Sequence, residues 1–125
     1  MPLKIENIVL TKSKTFAIRI IRMYQFLQHP DNNQLPEYIM AKQVLRSGTS
    51  IGANIREARR AQSTADFIAK LYIALKEADE TAYWIELLYS TDYISEQMYN
   101  SILEDCEELL KLLTKIIKTT QANNS

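Results

Sequence analysis

Residues 47–55 read SGTSIGANI, and both glycines of the 125-residue chain, Gly48 and Gly52, fall inside those nine positions. Gly, Ser and Thr at this density ordinarily mark a loop. The flanking residues argue otherwise. Ala41, Val44, Leu45, Gly48, Ile51, Gly52, Ile55 and Ala58 recur at spacings of three and four, so one arc of a helix runs straight through the stretch. Each glycine costs roughly 1 kcal/mol of helix propensity relative to alanine. Close packing would offset that cost, because two stacked positions without side chains let a partner rod come near. Ser47, Ser50 and Asn54 lie beside this arc and could hydrogen-bond across a helix interface. A hinge and a direct ligand contact are the alternatives. A phosphate-binding loop needs a lysine after the glycine-rich turn, a strand before it and a helix after it; none is present.

Working outward, the chain reads as four amphipathic helices, approximately 5–28, 36–61, 64–89 and 95–119, in a single domain spanning 1–125. Phe16, Ile20, Met23 and Leu27 mark the first stripe, and HPDNNQLP (29–36) ends it. Pro36 suits the first turn of the second helix. Ser63 with Asp66 forms a capping-box pattern, so the second connection is short and helices two and three fold back as neighbours. Phe67, Leu71, Ala74, Ala78, Ile85 and Leu88 line the third helix, with Trp84 as core or interface filling. Ser95 caps the fourth, whose stripe is Met98, Ile102, Cys106, Leu109, Leu113 and Ile116; residues 119–125 read as a frayed tail. The fold class expected is all-α, an antiparallel up-down-up-down four-helix bundle.

Lysine plus arginine equals aspartate plus glutamate, 15 of each, but the two are unevenly placed. Residues 1–60 hold ten basic and four acidic side chains (+6), and residues 61–125 hold five and eleven (−6). Such halves either pair internally or present two distinct faces. One cysteine excludes a disulfide framework. There is no secretory h-region and no run of 18 apolar residues, so a cytoplasmic protein without a membrane span is expected.

The inventory disfavours an enzyme. His29 is the sole imidazole and sits in a turn, which rules out a Ser/His/Asp or Cys/His set and the Glu-x-x-His pairs of a di-iron bundle. Cys106 falls on an apolar stripe. Glu57, Glu77 and Glu80 could hold a metal through oxygen alone, but salt bridges with Arg56, Arg59 or Arg60 explain them more simply. No catalytic residue, cofactor or metal ligand is therefore assigned. What remains is a basic set: Arg56, Arg59 and Arg60 clustered, with Arg46 and Lys42 further up the same helix and Arg19 and Arg22 on the first. Clustered arginines can grip phosphate oxygens. They can equally pair with the acids of helix three.

The run LRSGTSIGANIREARRAQ (45–62), with DFIAKL (66–71) and ALKEADETAYWIELL (74–88), resembles the bacterial four-helix-bundle family encoded in intervening sequences of 23S ribosomal RNA genes. More distantly it resembles the accessory (variability determinant) proteins of retroelements. The resemblance implies an antiparallel bundle that forms a ring-shaped homopentamer, with no assigned activity. The candidate packing or interface residues are Ser47, Gly48, Ser50, Ile51, Gly52, Asn54, Ile55 and Trp84, and the family pattern falls on all of these but Gly48 and Trp84. The expected function is a non-enzymatic oligomeric scaffold or accessory protein. The alternative is an RNA- or DNA-binding module acting through Arg19, Arg22, Lys42, Arg46, Arg56, Arg59 and Arg60.

Overall fold

The computed structural model describes residues 5, 7–31 and 33–123. They form four helices, α1 (Asn7–Gln28), α2 (Ile39–Ala58), α3 (Thr64–Ser90) and α4 (Glu96–Asn123), and no strand occurs among the described residues. Each helix packs on its neighbours in the chain, and α4 returns to α1 to close a square; the diagonal pairs do not meet. Because the turns at 59–63 and 91–95 are short, successive helices must run antiparallel.

The apolar stripes meet on the bundle axis. Phe16, Ile20 and Leu27 of α1, Ile51 and Ile55 of α2, Phe67, Leu71 and Ile85 of α3, and Leu109 and Leu113 of α4 are all buried. Burial of such stripes, not propensity, holds helices of this length in water.

Three helix boundaries differ from the sequence expectation. α2 begins at Ile39, so Pro36 lies outside it. The reason is Glu37, only 8% exposed, whose carboxylate accepts from the backbone N–H groups of Ile39 (3.1 Å) and Ala41 (2.9 Å). Its own N–H donates to the Leu27 carbonyl (3.0 Å), and Gln28 Nε2 donates to its carbonyl (3.1 Å), tying the segment before α2 to the end of α1. Tyr38, at the N-cap, offers no side-chain bond of its own. Glu37→Ala is therefore expected to cost about 1–2 kcal/mol, as loss of a cap does, read as a lowered thermal midpoint by circular dichroism. The other end of α2 comes earlier than expected: it stops at Ala58, leaving Arg59 and Arg60 in the turn. α4, in contrast, continues to Asn123. Ile117 is buried, and no Gly or Pro follows to break the helix, so 119–123 extend it; 124 and 125 of the expected tail lie outside the described residues.

The α3 ends are built as local chemistry dictates. Ser63 Oγ accepts from the Asp66 N–H (3.0 Å), while Asp66 Oδ2 accepts from the Gln62 N–H (3.2 Å), one residue beyond the position of a standard capping box. At the far end, the Tyr93 N–H donates to the Leu88 carbonyl (2.9 Å) and the Asp92 N–H to that of Tyr89 (3.0 Å). This is a Schellman closure with Asp92 at φ 67° in the position glycine usually takes.

Candidate functional site

The small-residue stretch is helical and faces α1 of the same chain. A Cβ on Gly48 would stand 2.8 Å from Ile20 Cγ1 and 2.9 Å from Cγ2. One on Gly52 would meet Ser13 Oγ at 3.4 Å and the Ser13 carbonyl oxygen at 3.6 Å. The close approach is therefore real, and Gly48, which is buried, is the tighter of the two positions. On the other side, buried Ser47 places its hydroxyl 2.8 Å from Thr81 Oγ1 of α3. Thr81, a buried polar residue absent from the expected α3 stripe, also donates to the Glu77 carbonyl at 2.7 Å. Ser50 and Asn54 do not bridge helices. They donate back along α2, to the carbonyls of Arg46 (2.7 Å) and Ser50 (2.8 Å). With Ile51 and Ile55 fully buried, this set is occupied by the bundle's own packing.

The basic set divides by partner. Arg19 donates to Asp105 Oδ2 (2.6 Å) and to the hydroxyl and carbonyl of Ser101, while Lys12 pairs with Glu108 (2.6 Å); both pairs tie α1 to α4. Arg46 pairs with Glu77 (3.2 Å) and with Glu80, and Glu57 pairs with Lys70 (3.4 Å). The expectation that Arg56, Arg59 or Arg60 neutralise these glutamates is thus corrected. Trp84, half-buried, donates Nε1–H to Glu80 Oε2 at 2.9 Å; that bond, then Arg46, holds the Glu80 carboxyl below its ordinary value. The bond that Arg46 donates to Glu80 in turn raises the Arg46 guanidinium. Arg22 donates to Gln25 (3.2 Å), and Lys42 has no ion pair among the described residues.

Arg56, Arg59 and Arg60 are exposed and have no carboxylate partner among the described residues. They line an open cavity of about 420 Å³ with Glu57, Gln62, Asp66 and Lys70. Its two carboxylates are already engaged, Glu57 by Lys70 and Asp66 by the Gln62 N–H. The arginines are left to face solvent.

The outer faces of the square differ in kind. α1 carries Lys12, Lys14, Arg19 and Arg22 and no acid; α2 carries Lys42, Arg46 and Arg56 against Glu57. Among these charges Ile18, Ile21, Tyr38 and Ile39 are exposed, Ile39 by 78%. The opposite face, between α3 and α4, holds an open groove of about 440 Å³. Ala82, Tyr83, Tyr99, Leu103 and Leu110 supply its apolar lining and Asp79, Glu86 and Glu107 its charge, with no basic side chain. No group of three or more His, Cys, Asp or Glu among the described residues is placed to hold a metal ion. No helix among them is long and apolar enough to cross a membrane.

Residues 6–115 match the family described as 23S rRNA-intervening sequence protein. The chain belongs to that family. It is also similar to a solved structure from Bacteroides thetaiotaomicron VPI-5482, a protein with unknown function from the S23 ribosomal protein family. The two share 58% identity over 88% of this chain and 98% of the other, with a TM-score of 0.84. No curated protein is significantly similar to the chain. The bundle described above is thus shared with that solved structure, a protein of unknown function.

Proposed function

We propose that this intervening sequence protein is a non-enzymatic cytoplasmic scaffold that works by self-association, the α1/α2 face of one copy seating in the α3/α4 groove of the next. The observation that supports this reading is the pairing of opposite faces. One is apolar with basic residues around it, and the other is apolar with acidic ones. Complementary patches on opposite sides of one molecule make a head-to-tail contact, which closes into a ring or continues as a filament. A ring of five is the closed form that the family resemblance implies.

The geometry allows a test that a symmetric dimer would fail. Light scattering is expected to give the wild type a multiple of 14.5 kDa. Ile18→Asp with Ile21→Asp removes one face; Glu86→Lys with Glu107→Lys removes the other. Each double variant is expected at monomer mass, and an equimolar mixture at twice that mass, because each retains the face its partner lacks. Wild type at 14.5 kDa, or a mixture that stays monomeric, defeats the reading.

A further inference from the structure

Charge is also sorted along the bundle axis. Cross-helix contacts set the levels: Ser13 lies against Gly52, Lys12 against Glu108, Glu57 against Lys70, and Cys106 against Ala78. A plane across the four helices at the level of Ala78 and Cys106 separates residues 7–17, 49–77 and 107–123 from the rest. That half carries ten basic and five acidic side chains, a net of +5. The other half, 18–31, 33–48 and 78–106, carries four basic and nine acidic, a net of −5. A molecule neutral in total is a rod with one cationic end.

We propose that this end, formed by the start of α1, the α2–α3 turn and the last turns of α4, binds the phosphate backbone of a nucleic-acid duplex. Arg56, Arg59 and Arg60 supply planar, permanently charged donors around one cavity with no carboxylate engaging them. On α4, Lys111, Lys115 and Lys118 line a second open depression of about 450 Å³ together with Thr114 and Thr119. α2 and α4 are diagonal in the square, so these two clusters flank the end from opposite sides. No aromatic ring lines either depression, which leaves no stacking platform for unpaired bases and favours backbone contact without sequence readout. The acidic end repels the same ligand, so the field brings a polyanion to one end only.

The test is fluorescence anisotropy with labelled RNA and DNA duplexes of about 20 base pairs at about 50 and about 200 mM salt. Binding is expected to weaken steeply with salt. Replacing Arg56, Arg59 and Arg60 together by Gln is expected to remove about three counterion contacts. The ratio of wild-type to variant affinity then shrinks about forty-fold over that salt range. Arg22→Gln with Lys42→Gln, two cations of the acidic half, is expected to change affinity by less than about two-fold. Duplexes that fail to bind at the lower salt overturn the proposal. So does an arginine triple variant that binds like wild type, or a control that weakens as much as the triple variant. Protein that binds vesicles of anionic lipid while ignoring both duplexes overturns it too.

Discussion

Gly48→Leu is expected to lower the stability of the bundle by about 3 kcal/mol or more, read by urea unfolding monitored at a helix band. The contact that sets this cost is local and rigid. Even the first carbon of a side chain would lie 2.8 and 2.9 Å from the two γ carbons of Ile20, a fully buried, β-branched residue with no alternative space. Gly48→Ala is expected to be destabilising for the same reason, although alanine gains about 1 kcal/mol of helix propensity. Trimming the partner tests the cause. Ile20→Ala removes both clashing atoms, so the double variant with Gly48→Ala is expected to be more stable than additivity allows by about 1 kcal/mol. Ile20→Val keeps both atoms and is expected to show no such rescue. Gly52 is the contrast. An added methyl there sits 3.4 Å from the nearest atom, so Gly52→Ala is expected to be neutral to about 1 kcal/mol stabilising. A Gly48→Leu protein that unfolds at the wild-type urea concentration would show that α1 does not need to lie so close.

The existence of four helices is legible because the buried residues recur at helical spacing, and the two connections with Ser63 and Ser95 carry their own caps. Where α2 begins is not. Its cap is an acid before the N-cap that reaches two backbone N–H groups, and a rule looking for Ser, Thr or Asp at the boundary passes over Glu37. Gly48 lies in close packing against Ile20 while Gly52 has room for a methyl, and composition can say neither which glycine is tight nor whether the cover comes from α1 or from another molecule. Ion pairing depends on register between helices. Arg46 meets Glu77 and Glu80 because the turn at 59–63 brings those levels together, while Arg56 and the turn arginines sit nearer the end, where α3 offers Asp66 and Lys70. Charge follows the same logic. Opposite signs in the two halves of the chain foretell two different faces, but axial sorting emerges only when antiparallel helices place residues such as Lys12 and Arg56 on one side of the midplane.

The second large effect is alkaline. Cys106 is fully buried, its Sγ–H donates to the Ala78 carbonyl at 3.2 Å, and burial, aided by the charges of Glu107, Asp79 and Asp105, pushes the thiol from 9.0 up to about 12. The folded state therefore keeps a proton that the unfolded chain releases above about pH 9. Stability from this group is fully present below that pH and is lost as pH rises toward 12. At about 1.4 kcal/mol per pH unit, roughly 2 kcal/mol is gone by about pH 10.5. Tyrosines and lysines titrate in the same range, so the informative quantity is a difference. Cys106→Ala removes the thiol and leaves the other groups in place. Its stability is expected to start below wild type at about pH 8, because a small cavity replaces sulfur, and to close on it by about 2 kcal/mol at about pH 10.5. A gap between the two proteins that stays constant across that range would mean the thiolate finds water in the folded bundle, and that the centre between α3 and α4 is not dry.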